Sequence, residues 1–432
     1  MARGTTRQMA LFAVAEPERE SETTSTFADN LSLPIHRWFR YAAGFSAVWV
    51  SDLMERERAN GRRTALDPFV GSGTALLEAE RSDLESIGVE AHPFIVRVAR
   101  SKLHWREDPV AFREFARAVL EGARKQGGSA EGHPSLMKRC FPAEVLARLD
   151  SLRRAWAAVA DGSPLSELSW LALASIIREC SPVGTAQWQY VLPRKTKASA
   201  RDPYAAFSAK LELMCRDITH RQRRPRGPRP HLLWGDARAC ADVPDGWADL
   251  VVTSPPYANN YDYADATRLE MTFFGEIRGW GDLQDAVRRY LIRSCTQHVA
   301  GDASRTATLL GDPLLEPIGA EINAVCGELE RERAKHGGKK PYHAMIAAYF
   351  SDMAHALAEL RRATAPGALG CLVIGDSAPY GVYVPVDRWL GELAVAAGFA
   401  GYRFEKTRDR NVKWKNRKHR VPLHEGRLWI AG

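Results

Sequence analysis

The chain predicts an α/β fold: an open sheet with helices on both faces, interrupted by a mainly helical insertion. Three observations lead there. Thr64 to Glu90 reads as strand, glycine loop, helix and strand, with an acid closing the second strand. Asp249-Leu-Val-Val-Thr-Ser-Pro-Pro-Tyr257-Ala258 reads as a short buried strand stopped by a proline pair. Between them, from Ala91 to about His220, apolar residues recur at the three- and four-residue spacing of helices.

Residues 1–26 are rich in Glu, Ser and Thr with little periodicity, and read as a disordered tail. Ser46 is placed to cap a helix whose apolar face runs through Val48, Trp49, Val50, Leu53 and Met54. Thr64–Asp67 is a strand, Pro68 to Thr74 the glycine loop, Ala75 to Arg81 a helix and Ser86–Glu90 the next strand. A helix at Phe94–Leu103 leads into the insertion, 101–229, with helices over Val110–Lys125, Pro142–Ala160, Leu165–Ile177 and Pro203–Ile218. Its one extended piece, Trp188–Leu192, runs into the basic Pro193-Arg-Lys-Thr-Lys197. The prolines of Arg221 to Pro230 preclude a continuous helix and make a basic linker. The sheet resumes at Leu232–Ala237 and continues through the strand at Asp249. Helices are expected at Thr267–Phe274 and, within an insert at 275–340, at Leu283–Ile292 and Glu316–Lys335. Tyr342–Thr364 is strongly periodic and ends before Pro366-Gly367. The strand Cys371–Ile374, a helix at Val386–Ala397 and strands at Arg403–Arg408 and Arg427–Ile430 complete the chain. Residues 27–100 and 230–432 thus read as two parts of one sheet domain.

Composition narrows the function. Hydrophobic content of 45% and charged content of 26% are ordinary for a globular protein. No apolar run approaches the roughly 20 residues of a membrane span. The patch Met9 to Val14 lacks the length and cleavage pattern of a signal peptide. Seven cysteines, scattered without paired spacing, fit reduced thiols and argue against structural zinc. The expectation is a cytoplasmic chain with no membrane and no metal. A net charge of +8 permits a nucleic-acid partner without demanding one.

The loop after Asp249–Thr253 is stiff, because neither Pro255 nor Pro256 donates a hydrogen bond and each fixes its φ. It presents Ser254, carbonyls and the Tyr257 ring at the C-terminal edge of the sheet, where open α/β sheets bind ligands. That set suits a planar ring held by an exocyclic amino group; a plain Pro-Pro-Tyr turn is the duller reading. Gly71 and Gly73 let backbone approach a ligand beside a helix N-terminus. Glu90 lies where a carboxylate takes both hydroxyls of a ribose.

Asp67-Pro-Phe-Val-Gly-Ser-Gly-Thr74, Glu90, Asp236 and Thr253-Ser-Pro-Pro-Tyr257, in that order, resemble the amino-methylating DNA methyltransferases that use S-adenosylmethionine. Phe45-Ser46 resembles the family's N-terminal cofactor element. The resemblance covers about 30–54, 64–100, 230–275 and 340–432, and implies a Rossmann-like class I methyltransferase sheet. Within the family Ser-Pro-Pro-Tyr occurs most often in cytosine-N4 enzymes, which favours cytosine; adenine-N6 methylation is the first alternative. The cofactor elements here precede the catalytic loop, whereas many cytosine-N4 enzymes are permuted the other way.

The resemblance implies that Ser254 and the Pro255 carbonyl take the amino hydrogens, Pro256 stiffens the loop, and Tyr257 stacks on a base extruded from the duplex. It places the cofactor over Pro68, Phe69, Gly71 and Gly73, with Glu90 on the ribose, Asp236 on the adenine amino group and Asp67 on the methionine ammonium. Asp67 and Asp236 have a plainer role as turn caps, and Thr74 as a helix cap. Asn259, Asn260 and Tyr261 either line the base pocket or order its loop. Lys413, Trp414, Lys415 and Arg417 are expected to contact DNA. The insertion is expected to carry part of target recognition, and a restriction or defence partner is a further possible associate. Other readings are an RNA or protein amide methyltransferase, and a nucleic-acid-binding homologue without activity.

Overall fold

Alternation of side chains along each strand builds the architecture, because successive residues serve opposite faces of one sheet. Val251, Leu372, Ile374, Leu428 and Ile430 enter one apolar cluster, while Leu250, Val252, Cys371, Val373 and Trp429 enter another. Both faces are therefore covered by helices. The computed structural model describes residues 27–41, 44–185, 190–197, 199–299, 305–410 and 421–432.

The first part of the sheet domain runs α1 (Ala47–Ala59), β1 (Thr64–Asp67), α2 (Thr74–Arg81), β2 (Glu85–Glu90) and α3 (Pro93–Leu103). The helical unit follows as α4 (Pro109–Gln126), α5 (Ser135–Cys140), α6 (Ala143–Val159) and α7 (Pro164–Cys180). A hairpin of β3 (Val183–Thr185) and β4 (Val191–Thr196) then precedes α8 (Pro203–Arg221). The sheet returns with β5 (His231–Trp234) and β6 (Ala248–Thr253), then α9 (Tyr263–Ala266) and α10 (Arg268–Phe274). Short helices α11 (Leu283–Ala286) and α12 (Thr306–Leu310) lead to α13 (Gly319–Lys335) and α14 (Tyr342–Ala363). The chain ends with β7 (Thr364–Gly375), α15 (Val386–Ala396), β8 (Gly401–Arg410) and β9 (Leu423–Ala431).

Strand order in the seven-stranded sheet is β5-β2-β1-β6-β7-β9-β8. Neighbours from β5 to β7 are parallel, and β9 runs antiparallel to both β7 and β8. The order reverses between β1 and β6, so the crevice for a ligand opens where those two strands end. This is the expected α/β class, a Rossmann-like methyltransferase sheet.

Several boundaries differ from expectation for identifiable reasons. The helix expected over Leu283–Ile292 stops at Ala286, since Val287 leaves helical backbone (φ −138, ψ −60). Arg288 is then drawn inward to Asp262 at 2.7 Å. The helix expected from Glu316 begins at Gly319, because Pro317 confines Pro313–Ile318 to a 3-10 turn. Thr267 (φ −106, ψ 1) separates α9 from α10, where the start of one helix was expected. β5 ends at Trp234, leaving Asp236 in the turn beyond it. β7 starts at Thr364, well before Cys371, with its register to β6 shifting across Pro366-Gly367. Of the extended piece at Trp188–Leu192, Trp188 lies outside the described residues and β4 begins at Val191.

The helical unit is tied to the sheet domain. Asp217 of α8 accepts from Ile35 N, from Arg37 and from Trp38 Nε1 at 2.9 Å, docking the segment ahead of α1 onto the helices. Nearby, the buried Lys102 amine donates to the His36 carbonyl at 3.2 Å, and burial pushes it down to about 7. A lysine that folds with a depressed pKa binds fewer protons than in the unfolded chain. Stability therefore rises with pH between about 7 and 10.5 and is lost as pH falls through that window. Lys102→Met is expected to stabilise the fold at pH 7 by roughly 1–3 kcal/mol. Denaturant melts at pH 7 and 10 check this: the gain shrinks at the higher pH.

Candidate functional site

Two loops meet where β1 and β6 end. Asp67 closes β1 and is 1% exposed. Its Oδ1 accepts from Phe69 N at 3.0 Å and from the Thr253 hydroxyl, at the end of β6, at 2.6 Å. Its Oδ2 is buried with no hydrogen-bond partner, and burial pushes the carboxyl up to about 7. The Thr253–Asp67 bond joins the glycine loop to the Ser-Pro-Pro-Tyr loop. Thr253 opens the motif but has no role assigned from sequence, since a hydroxyl at a strand end carries no signal until its neighbour strand is known.

Glu90, closing β2, grips the glycine loop. One carboxylate oxygen accepts from Gly71 N and the other from His92 N, both at 2.7 Å. Burial raises this carboxyl to about 7 against those hydrogen bonds. Gly71 and Gly73 have φ of 54° and 92°, backbone that favours glycine. Gly73, rather than Thr74, is the N-cap of α2; Thr74 is the first helical residue and is buried, which corrects the capping role expected of it. Pro68 is buried and Phe69 half-buried on this loop.

His92 is buried and pushed down to about 3, hence neutral. Its Nδ1 accepts from Phe94 N, so Nε2 carries the proton and donates to Thr267 Oγ1 at 2.9 Å. The ring thereby links the acid of β2 to the helices after the Ser-Pro-Pro-Tyr loop.

Asp236 lies beyond β5 as a turn cap. It accepts from Arg238 N at 2.9 Å and is clasped by the Arg238 guanidinium at 2.6–3.0 Å, which also reaches Asp352. Ser46 caps α1 by accepting from Trp49 N, as the sequence suggested. Phe45 is buried in the cluster that includes Trp49, Ala75 and Val252.

On the Ser-Pro-Pro-Tyr loop, the Ser254 hydroxyl donates to the Val373 carbonyl at 3.3 Å. With its proton so committed, Oγ has lone pairs left to accept. Pro255 is buried; Pro256 and Tyr257 are half-buried. The Arg410 guanidinium lies 5.4 Å from the Tyr257 ring centroid and donates to the Asp376 carbonyl at 2.9 Å. Gly375 makes the room: a Cβ there would fall 2.6 Å from Arg410 Nη1 and 3.3 Å from Tyr257. Arg410 belongs to a basic run that suggests DNA contact, but its place beside Tyr257 was not foreseen, because β8 reaches this edge only through its pairing with β9.

Asn259 and Asn260 order the loop: Asn259 Oδ1 accepts from Tyr261 N, and Asn260 Oδ1 from Thr296 N and its hydroxyl. Tyr261 is buried, stacked on Tyr190 at 5.7 Å and edge-on to Tyr263 at 4.5 Å. Lys413, Trp414, Lys415 and Arg417 lie outside the described residues. Among the described residues, Asp262, Cys295 and His298 form one buried trio close enough to share a cation. Arg288 already supplies positive charge there; against burial, the nearby His298 ring and the hydrogen bonds from Arg288 hold the Asp262 carboxyl at about 2.

The glycine loop, the unpartnered Asp67 Oδ2 and the Glu90 carboxylate fit a cofactor with a cationic amine and a ribose. No family model matches the chain. It is 27% identical to the Type II methyltransferase M.BsoBI of Geobacillus stearothermophilus, over 89% of this chain and 82% of that protein. It is 24% identical to the Type II methyltransferase M.AvaI of Nostoc sp. and of Anabaena variabilis, over 88% of this chain and 82% of each relative. The ordered motifs, the sheet that carries them and this similarity along most of its length support the amino-methylating DNA methyltransferase family, with S-adenosylmethionine as methyl donor.

Proposed function

We propose that the chain methylates the exocyclic N4 amine of cytosine in DNA, at a base turned out of the duplex. The observation that carries this reading is the Ser254 hydroxyl, tethered to the Val373 carbonyl and left as an acceptor at the sheet edge. An aromatic amine is a poor nucleophile because its lone pair is delocalised into the ring. Acceptors at Ser254 Oγ and the Pro255 carbonyl draw both amino hydrogens out of the ring plane and localise that pair on nitrogen. Tyr257 stacks on the base and fixes its approach, and orientation of this kind supplies much of the rate.

S-adenosylmethionine, when bound, would supply an electrophilic methyl group whose bond to the sulfonium sulfur breaks as the bond to nitrogen forms, leaving the neutral thioether S-adenosylhomocysteine. Asp67 would hold its ammonium, Glu90 its ribose and the Phe69-to-Gly73 backbone its length; Asp236 would reach the adenine amine only by sharing an oxygen with Arg238. The proton shed by the methylated amine passes to water. Residues 101–229 are read as an insertion carrying part of target recognition, with 275–340 a second insert. A cytoplasmic location and a restriction partner belong to the same proposed reading. No helix among the described residues is long and apolar enough to cross a membrane.

The test is purified protein, methyl-labelled cofactor and mixed genomic DNA, followed by digestion to nucleosides and mass analysis. Labelled N4-methylcytosine is expected. N6-methyladenine would overturn the choice of base and keep the chemistry.

A further inference from the structure

The β3–β4 hairpin is the one excursion into extended structure within the described helical unit. Its ladder pairs Thr185 with Val191 and Gly184 with Leu192, then jumps to Val183 with Thr196. Pro193, Arg194 and Lys195 are the extra residues of that bulge, and both cations are exposed. Bulges of this kind re-aim side chains away from the sheet. Gly184 backs the bulge: a Cβ there would lie 3.2 Å from Lys195 Cβ and 3.4 Å from its carbonyl. Among the described residues, no carboxylate lies within ion-pair distance of Arg194 or Lys195, whereas neighbouring Arg201 and Lys210 are paired with Glu179.

The hairpin is anchored at its base and against the catalytic loop. Val183 and Val191 are buried in the helical core, and Lys197 N donates to the Pro182 carbonyl at 2.9 Å. The Tyr190 hydroxyl accepts from Asp262 N at 2.7 Å, and its ring stacks on Tyr261. Arg194 lies four residues beyond Tyr190 along the strand, hence at most about 13 Å from it between Cα atoms. At about 3.4 Å of duplex axis per phosphate on one strand, that span is about four nucleotides.

We propose that Arg194 and Lys195 contact the phosphate backbone of duplex DNA flanking the extruded base, and that Tyr190 carries this contact to the catalytic loop. The inference rests on the DNA-methylating reading. Anionic backbone complements two exposed cations that have no carboxylate partner among the described residues, and the spacing sets them beside the target. Tyr190 is a positioning residue, acting on the base through Asp262 and Tyr261.

Binding of the full-length protein to a labelled duplex of arbitrary sequence, measured across salt concentrations, tests this because the phosphate term is independent of sequence. In R194A/K195A the slope of log K against log salt is expected to be shallower by about 1.8, about 0.9 per lost contact. Cofactor affinity, measured without DNA, serves as the folding control and stays at the wild-type value. Tyr190→Phe is expected to lower turnover at saturating DNA about tenfold with the salt slope unchanged. An R194A/K195A slope equal to wild type, in a protein that binds duplex, overturns the hairpin contact alone. A Tyr190→Phe protein with wild-type turnover overturns its positioning role. A wild-type protein that binds no duplex at low salt overturns the DNA reading and the hairpin with it.

Discussion

Ser254→Ala is expected to slow methyl transfer on the order of 10²-fold while leaving S-adenosylmethionine affinity unchanged. The reason is local. Ser254 Oγ is committed as a donor to the Val373 carbonyl, so its remaining capacity is to accept, and alanine removes it without disturbing the strand end. Tyr257→Ala removes a stacking surface worth about 1–3 kcal/mol per base, and adds a loss of DNA affinity to the loss of rate. Ser254→Asp, which retains an acceptor, is expected to recover part of the activity lost in Ser254→Ala. Single-turnover assays with enzyme in excess separate transfer from product release. A Ser254→Ala protein with wild-type single-turnover rate would sink the assignment of the amine to this loop.

The second large effect concerns Asp67. Its carboxyl, raised to about 7 by burial, is half-protonated near neutral pH in the free protein. A cationic amine placed at its unpartnered oxygen favours the ionised form. Cofactor affinity is therefore full above pH 7 and falls about tenfold per pH unit below it, with a proton released on binding. Glu90, also near 7, adds to the slope if the ribose hydroxyls favour its ionised form. Asp67→Asn keeps an oxygen for Phe69 N and Thr253 but removes the charge, so affinity is expected to drop about 10²-fold and lose this part of its pH dependence. The stability effect has the opposite sign. A carboxyl whose folded pKa is raised contributes stability fully present below its unfolded value, near 4, and lost as pH rises through 7. The free Asp67→Asn protein should melt higher than wild type at pH 7.5, yet gain less from added cofactor. Calorimetry in two buffers of different ionisation heat checks the proton; thermal melts check the stability.

The strand ends were legible in the sequence because their signals are local. A proline pair must end β6, Gly71 and Gly73 must turn, and Glu90 follows an apolar run. What escaped was set by contacts distant in sequence. The apolar period over Leu283–Ile292 is real, but a buried ion pair from Arg288 to Asp262 outweighs helical propensity and breaks the helix. Thr253 and Arg410 reach the site only through strand neighbours that a linear reading does not supply. Asp236 had the right position for a ligand acid and is also the partner of Arg238, a competitor two residues away that the motif alone does not weigh.

The reversal of strand order between β1 and β6 also bears on how the chain is made. β1 and β2 leave the ribosome early, but their partners β6 and β5 lie beyond the helical unit. At about 5–20 residues per second, the stretch from Glu90 to Ala248 takes about 8–30 s to synthesise. Helices with local contacts form far faster than that. The helical unit is therefore expected to fold first on the nascent chain, while two short strands wait with unpaired edges under α1 and α2. The Thr253–Asp67 bond then closes the crevice, making the cofactor pocket a late product of folding.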